Sequence, residues 1–154
     1  MKLPRQRIVI GWTETVEFPD WNLGGVRAKI DTGARTSALH VENLEERNPG
    51  RVRFDVMIGR KAPFRRHTVT ARVIKRARVR SSNGRHEERC FVRTTILLGG
   101  CLREIELSLV SRGKMLFRML LGRKALEHDF LVDVSRRHVV SPRTRSKPPN
   151  PRRR

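Results

Sequence analysis

Tyrosine is absent from the 154-residue sequence, and aromatic residues of all kinds make up only 5% of it. That scarcity argues against a nucleic-acid module that stacks bases on aromatic faces. Cysteine occurs twice, at 90 and 101, too few for a disulfide framework. Both are expected as free thiols in a cytoplasmic protein. No apolar run approaches the roughly 20 residues of a membrane-spanning helix. The N-terminal run Ile8-Val9-Ile10 is short enough for a strand and is not a targeting segment. No Gly-rich loop ending in Lys is present to cradle phosphates, and no His-Glu-x-x-His pair to hold zinc. The five histidines, at 40, 67, 86, 128 and 138, are scattered. His86, Cys90 and Cys101 are the one set that metal ligation could draw on. A surface histidine and buried cysteines are the plainer reading, so no metal and no cofactor is expected. Acid is scarce as well: 15 Asp and Glu stand against 35 Lys and Arg, a net charge of +20.

Such a charge favours a polyanionic partner: an acidic polypeptide, a nucleic acid or an anionic membrane. Part of it sits in the last stretch, SPRTRSKPPNPRRR, which has six cations, four prolines and no acid. That composition cannot bury enough apolar surface to fold, so a disordered basic tail is expected over 142–154. The remaining 1–141 suits a single domain and still holds 29 cations against 15 acids, so the basicity belongs to the fold too.

Upstream of the tail the dominant hydrophobic period is two. RVRFDVMIG places Val52, Phe54, Val56 and Ile58 on one face, with Arg51, Arg53, Asp55 and Met57 on the other. TARVIKRARVR sets Ala71, Val73, Ala77 and Val79 against Arg72, Arg76, Arg78 and Arg80. CFVRTTILLGG alternates Val92, Thr94, Ile96 and Leu98. REIELSLV alternates Ile105, Leu107 and Leu109 against Glu104, Glu106 and Ser108. Asn48-Pro49-Gly50, Ser82-Asn83-Gly84 and Gly99-Gly100 mark turns between these runs. One short helix is predicted, over 123–129. There is no internal repeat. The pattern is that of an all-β protein, a closed or nearly closed barrel with one short helix.

Two stretches carry candidate chemistry. KIDTGARTSALH (29–40) puts Asp31 at the end of a strand, followed by Thr32, Gly33 and Ala34. Gly33 allows close backbone approach, and its N–H can bond the carboxylate. Ala34 leaves room beside it, and Thr32 can lock the loop. Taken alone, Asp-Thr-Gly is also ordinary turn chemistry. The second stretch, MLLGRKAL, places Leu120 and Leu121 before Gly122 and the short helix.

In order along the chain, AKIDTGARTSALH, VRSSNGRHEERCFVRTTILLGG, SRGKMLFRMLLGRKAL and FLVDVS resemble the retropepsin-like aspartic peptidases. The nearer likeness is to their RimB-like branch, whose members also carry the label ATP-dependent zinc protease. It runs from about Gly11 to Ser135. The loop LVSRGKMLFRM is more basic than the family pattern, which bears on substrate contacts there. The resemblance implies a retropepsin-like closed barrel in which Leu120, Leu121 and Gly122 support the turn bearing Asp31. It also implies a homodimer, because each chain offers one Asp-Thr-Gly and the chemistry needs two carboxylates. The pair would share one proton, one member activating water and the other donating to the scissile carbonyl. The two copies of Thr32 would tie the turns together. An association with enzymes that ligate glutamate to proteins points to a glutamate-rich substrate.

Chain order suggests Asn83-Gly84 as the tip of a substrate-covering flap, although the pair is also an ordinary hairpin turn. Residues 60–85 contain ten cations and no acid. Arg76, Arg78 and Arg80 are therefore candidates for binding an acidic peptide, with a solvated basic strand face as the bland reading. The rival function is a basic module that binds acidic peptides, ribosome or nucleic acid without cutting.

Overall fold

The computed structural model describes residues 6–59, 64–80, 84–111 and 117–141. The expected tail over 142–154 and Asn83 of the expected flap tip lie outside the described residues.

Among the described residues eleven strands and one α-helical turn follow one another, with a 3-10 turn at Pro19–Trp21: β1 (Ile8–Gly11), β2 (Thr13–Phe18), β3 (Leu23–Ile30), β4 (Ser37–His40), β5 (Glu42–Glu46), β6 (Arg51–Ile58), β7 (Arg65–Arg80), β8 (His86–Leu98), β9 (Cys101–Val110), β10 (Met119–Leu121), α1 (Arg123–Leu126) and β11 (Phe130–Asp133). The protein is all-β with one short helix, as its alternation predicts. The main sheet runs β2-β3-β10-β4-β9-β8 and returns to β2 where Glu17 lies opposite Leu97, so six strands close a ring. Val16, Ala28, Leu39, Ile96, Leu107, Met119 and Leu121 fill it, each essentially inaccessible to water.

Outside the ring the sheet continues from β8 through β7 and β6 to β5. β7 serves two neighbours. Arg65 to Arg72 pair with β6, and Val73 to Arg80 pair with β8. A register shift between Val73 and Lys75 marks the change of partner, as a bulge bends a strand. Val52, Phe54 and Val56 of β6 are buried as their alternation requires. Phe54 meets Trp21 edge-on at 5.5 Å, and Trp21 stacks on Phe18 at 4.8 Å. Asp55, expected outward, is buried instead. It accepts hydrogen bonds from Thr68 and Asn43, which hold its carboxyl below the usual range.

Between β8 and β9, Gly99 and Gly100 both take positive φ, as a two-residue hairpin turn demands. The helix is one turn shorter than expected. It ends at Leu126, and His128 adopts φ of 76°, which no helix continues.

A second, two-stranded sheet pairs β1 with β11 in parallel, Ile8 opposite Phe130 and Gly11 opposite Asp133. Beside it lies Glu14, fully buried. Its carboxylate accepts from the N–H groups of Gly11, Val139, Val140 and Ser141, and from the Ser141 hydroxyl. Burial alone would raise its pKa; the donors from Gly11, Ser141 and Val139 outweigh that and hold it below the ordinary value. Among the described residues no helix is long and apolar enough to cross a membrane.

Candidate active site

β3 delivers Asp31. Val26, Ala28 and Ile30 point into the core, which leaves Lys29 and Asp31 on the opposite side of the strand. β10 pairs with β3 in parallel, Leu120 opposite Lys29 and Leu121 opposite Ile30. The ladder takes one more step, since Asp31 N–H donates to the Leu121 carbonyl at 2.8 Å. There the chain turns. Ala34 N–H donates to the Asp31 carbonyl at 3.2 Å, and Gly33 N–H to Asp31 Oδ1 at 3.0 Å. A Cβ on Gly33 would sit 3.2 Å from that carboxylate oxygen. Asp31 is half-buried, and Thr32 and Gly33 are exposed.

Gly122 presses against the same turn. A Cβ there would lie 2.5 Å from the Thr36 carbonyl oxygen and 2.9 Å from that of Ala34. Its N–H donates to Ser37 Oγ at 3.0 Å, and Ser108 Oγ donates to the Ser37 carbonyl at 3.3 Å. The first N–H groups of α1 would otherwise lack partners. Those of Arg123 and Lys124 donate to the carbonyls of Ala34 and Arg35. The Arg123 guanidinium then crosses to the Thr32 carbonyl at 2.9 Å.

The structure therefore brings together Asp31, Thr32, Gly33, Ala34, Leu121 and Gly122. Leu120 is placed differently from Leu121: it faces out, half-buried, on the same side as Lys29. Ser37 and Arg123 complete the turn and were not singled out from the sequence, although each lies within a stretch that was. The bonds described for the Asp31 turn come from the turn itself, β10 and α1, so the β7–β8 hairpin takes no part in building it. At that hairpin Gly84 has φ of 82°. Arg76, Arg78 and Arg80 are exposed on β7, opposite Cys90, Glu88 and His86 of β8. Arg76 is already engaged with Glu46 and with Cys90 Sγ.

His86 and Cys101 do not converge. His86 opens the 13-residue β8 and Cys101 follows its far end, a separation of roughly 40 Å along the strand. Among the described residues no three His, Cys, Asp or Glu side chains are grouped to hold a metal ion. The described residues do not fit zinc. A cavity of about 440 Å³ opens behind the turn, lined by Thr36, Ser37, Glu104, Glu106 and Lys124 among others. Asp31 does not line it. Glu104 and Glu106 are bridged by Arg93, with Lys75 also on Glu106, a salt-bridged wall rather than a reactive one.

A family model described as the retropepsin-like aspartic endopeptidase RimB matches residues 9–143. A protein of Shewanella pealeana named "Probable alpha-L-glutamate ligase" is 37% identical over 136 residues, which is 84% of this chain and 29% of that protein. Its namesake from Desulfotalea psychrophila is 35% identical over 133 residues, 81% of this chain and 28% of that protein. The chain thus spans under a third of the length of these curated relatives. A crystal structure of a Legionella pneumophila protein of unknown function superposes with a TM-score of 0.72 at 25% identity, covering 88% of this chain and all of that one.

Proposed function

Because the chain belongs to the RimB-like family of retropepsin-like aspartic endopeptidases, we propose that it is an aspartic peptidase that works as a homodimer on acidic, glutamate-rich polypeptide. The observation that carries the reading is the Asp31 turn. A half-buried carboxylate accepts the Gly33 N–H and stands on a frame built by Leu121, Gly122 and Arg123, with exposed backbone on its open side. One such turn per chain leaves the chemistry half assembled. A second copy related by a two-fold axis supplies the other carboxylate.

Two carboxylates at contact distance cannot both ionise, so the pair holds one proton. A water sits between them. The ionised member takes a proton from that water as its oxygen attacks the scissile carbonyl carbon. The protonated member gives its proton to the carbonyl oxygen. The tetrahedral diol then collapses. The C–N bond breaks, the leaving nitrogen takes a proton from the pair, and acid and amine products depart. The Arg123 bond to the Thr32 carbonyl and the Gly33 N–H hold the carboxylate in place, so that little geometry has to be found during the reaction.

The acidic substrate is supported by the net charge of +20 and by the relatives' name, which speaks of glutamate ligation in much longer proteins. Nothing in the chain offers a Gly-rich nucleotide loop, so we place removal of glutamate here and its addition elsewhere in such proteins. The test is incubation with a glutamate-tailed peptide, read by mass spectrometry, beside Asp31→Asn. Shortened products from the wild type alone support a peptidase. Tight binding with no cleavage by either protein would make it a binding module instead.

A further inference from the structure

The sheet extension outside the ring has two faces. Val52, Phe54, Val56 and Val69 point inward and are buried. The register of β6 with β7 sets the other face, because residues directly opposite one another in an antiparallel pair point to the same side. Arg51 lies opposite Arg72, Arg53 opposite Thr70, Asp55 opposite Thr68 and Met57 opposite Arg66. All four of these arginines are exposed. Arg47, in the turn between β5 and β6, joins them: with Arg53, Arg66 and Thr68 it lines an open hollow of about 280 Å³.

One pair on this face works against the fold. Arg51 and Arg72 are like charges directly opposite each other on neighbouring strands, an arrangement that destabilises a sheet. The carboxylates of the face are already committed. Asp55 accepts from Asn43 and Thr68 and lies 3.5 Å from Arg66, and Glu45 lies 3.4 Å from Arg47. Arg51, Arg53 and Arg72 are therefore in no ion pair among the described residues. All five cations are arginine, whose planar fork takes a phosphate through two parallel hydrogen bonds.

We propose that this face docks the phosphate backbone of base-paired RNA. From Arg51 to the level of Arg66 the arginines span roughly 20 Å along the strands, and from β5 to β7 about 10 Å across them. An extended peptide follows one line over such a field, whereas a duplex offers two backbones. An acidic peptide that added a strand to the sheet would have to pair with β5, where Glu42, Glu45 and Glu46 repel it. No outward residue of β6 from Arg51 to Met57, or of β7 from Arg66 to Arg72, is aromatic, so unpaired bases have nothing to stack on. The face is three strands wide, too broad for the major groove of B-DNA, which admits a helix or a two-stranded ribbon. It can lie against the wide, shallow minor groove of A-form RNA, where Thr70 offers a hydroxyl to a 2′-OH. The Asp31 turn is built by β3, β10 and α1 and shares no residue with this face, so the proposal stands apart from the peptidase reading.

The test titrates the full chain with a labelled RNA duplex of about 16 base pairs across a salt series. Arg51→Gln/Arg72→Gln is compared with Arg7→Gln/Arg136→Gln, which removes two exposed charges elsewhere. We expect the first double variant to weaken duplex RNA by about 10- to 50-fold near 0.1 M salt, and to flatten the slope of log K against log salt by about 1 to 2. The second should cost less than about threefold and flatten the slope by less than about 0.5. Arg51→Lys/Arg72→Lys keeps both charges, so it should keep the slope and lose less than about threefold. With the opposed charges gone, Tm of the glutamine variant should equal or exceed that of the wild type, which separates lost docking from lost folding. A lower Tm would show that the pair serves the fold, and would overturn the proposal. Equal losses in the two glutamine variants would overturn it as well. So would equal affinity for a DNA duplex of the same sequence, or binding of a polyglutamate peptide that depends as strongly on Arg51 and Arg72.

Discussion

Three residues carry very different loads in this fold. Gly122 leaves no space for a methyl group, since its Cβ would enter the Thr36 and Ala34 carbonyl oxygens, both backbone. Gly122→Ala should cost about 3 kcal/mol by overpacking, lowering Tm by roughly 10 °C, and should cut turnover even where the protein stays folded; calorimetry and peptide hydrolysis check both. Asp31→Asn should remove hydrolysis and leave Tm within a few degrees, because among the described residues its half-buried side chain receives only the Gly33 N–H. Glu14 behaves oppositely, with no bearing on catalysis and a large one on stability. Its folded pKa lies below the ordinary 4.5. Its stabilisation is therefore fully present above about 4.5 and is lost as pH falls through the lower folded value. Glu14→Gln should cost roughly 3 kcal/mol at neutral pH, since an amide turns donors toward N–H groups, and should flatten the acid limb of a Tm-against-pH curve. Asp31 was legible because a strand, a glycine and a small residue surround it in sequence. Ser37 and Arg123 were not, because a serine or arginine becomes informative only when its distant partner is known: Gly122 or the Thr32 carbonyl.

At the scale of elements, strands with a full apolar face were readable and the others were not. β6, β8 and β9 bury the alternating apolar residues that their sequences announce, although Asp55, Phe91 and Ser108, on the expected outer faces, are buried as well. β5 escaped because four of its five residues are exposed and three are glutamates. It is the sheet's edge, where charge rather than hydrophobicity keeps other chains away. The parallel pairing of β1 with β11 was invisible for another reason. Its partners are more than 100 positions apart in sequence, and no local period encodes that. Removing residues 138–141 tests what this corner is worth. Glu14 would lose every bond donor described for it except Gly11 N–H, so the truncated protein should melt well below the intact one. Amide exchange should quicken first in β1, β2 and β11, whereas the β8–β9 hairpin should keep its protection until the whole ring opens.

For the whole molecule, the single Asp31 turn predicts activity that depends on assembly. Light scattering should report twice the 17.9 kDa chain mass wherever hydrolysis is seen. On dilution below the dimer's dissociation constant, activity should fall faster than protein concentration. Full activity at strictly monomer mass would remove the paired-carboxylate mechanism. The charge of +20 acts at longer range than any pocket. Exposed charges are screened over about 10 Å at 0.1 M salt. KM for a glutamate-rich peptide should therefore rise with salt while kcat holds, and a neutral peptide should show little of this.

The clasp between Glu14 and Ser141 also sets a schedule. A chain emerging from the ribosome offers Glu14 early and its donors 125 to 127 residues later. At 5–20 residues per second that is a wait of roughly 6 to 25 s, in which a carboxylate destined for burial stays in water and β1 has no partner. The β8–β9 hairpin, closed by two glycines, can form in microseconds once made. Birth of this protein thus runs from the middle outward, with the first strand waiting for the last.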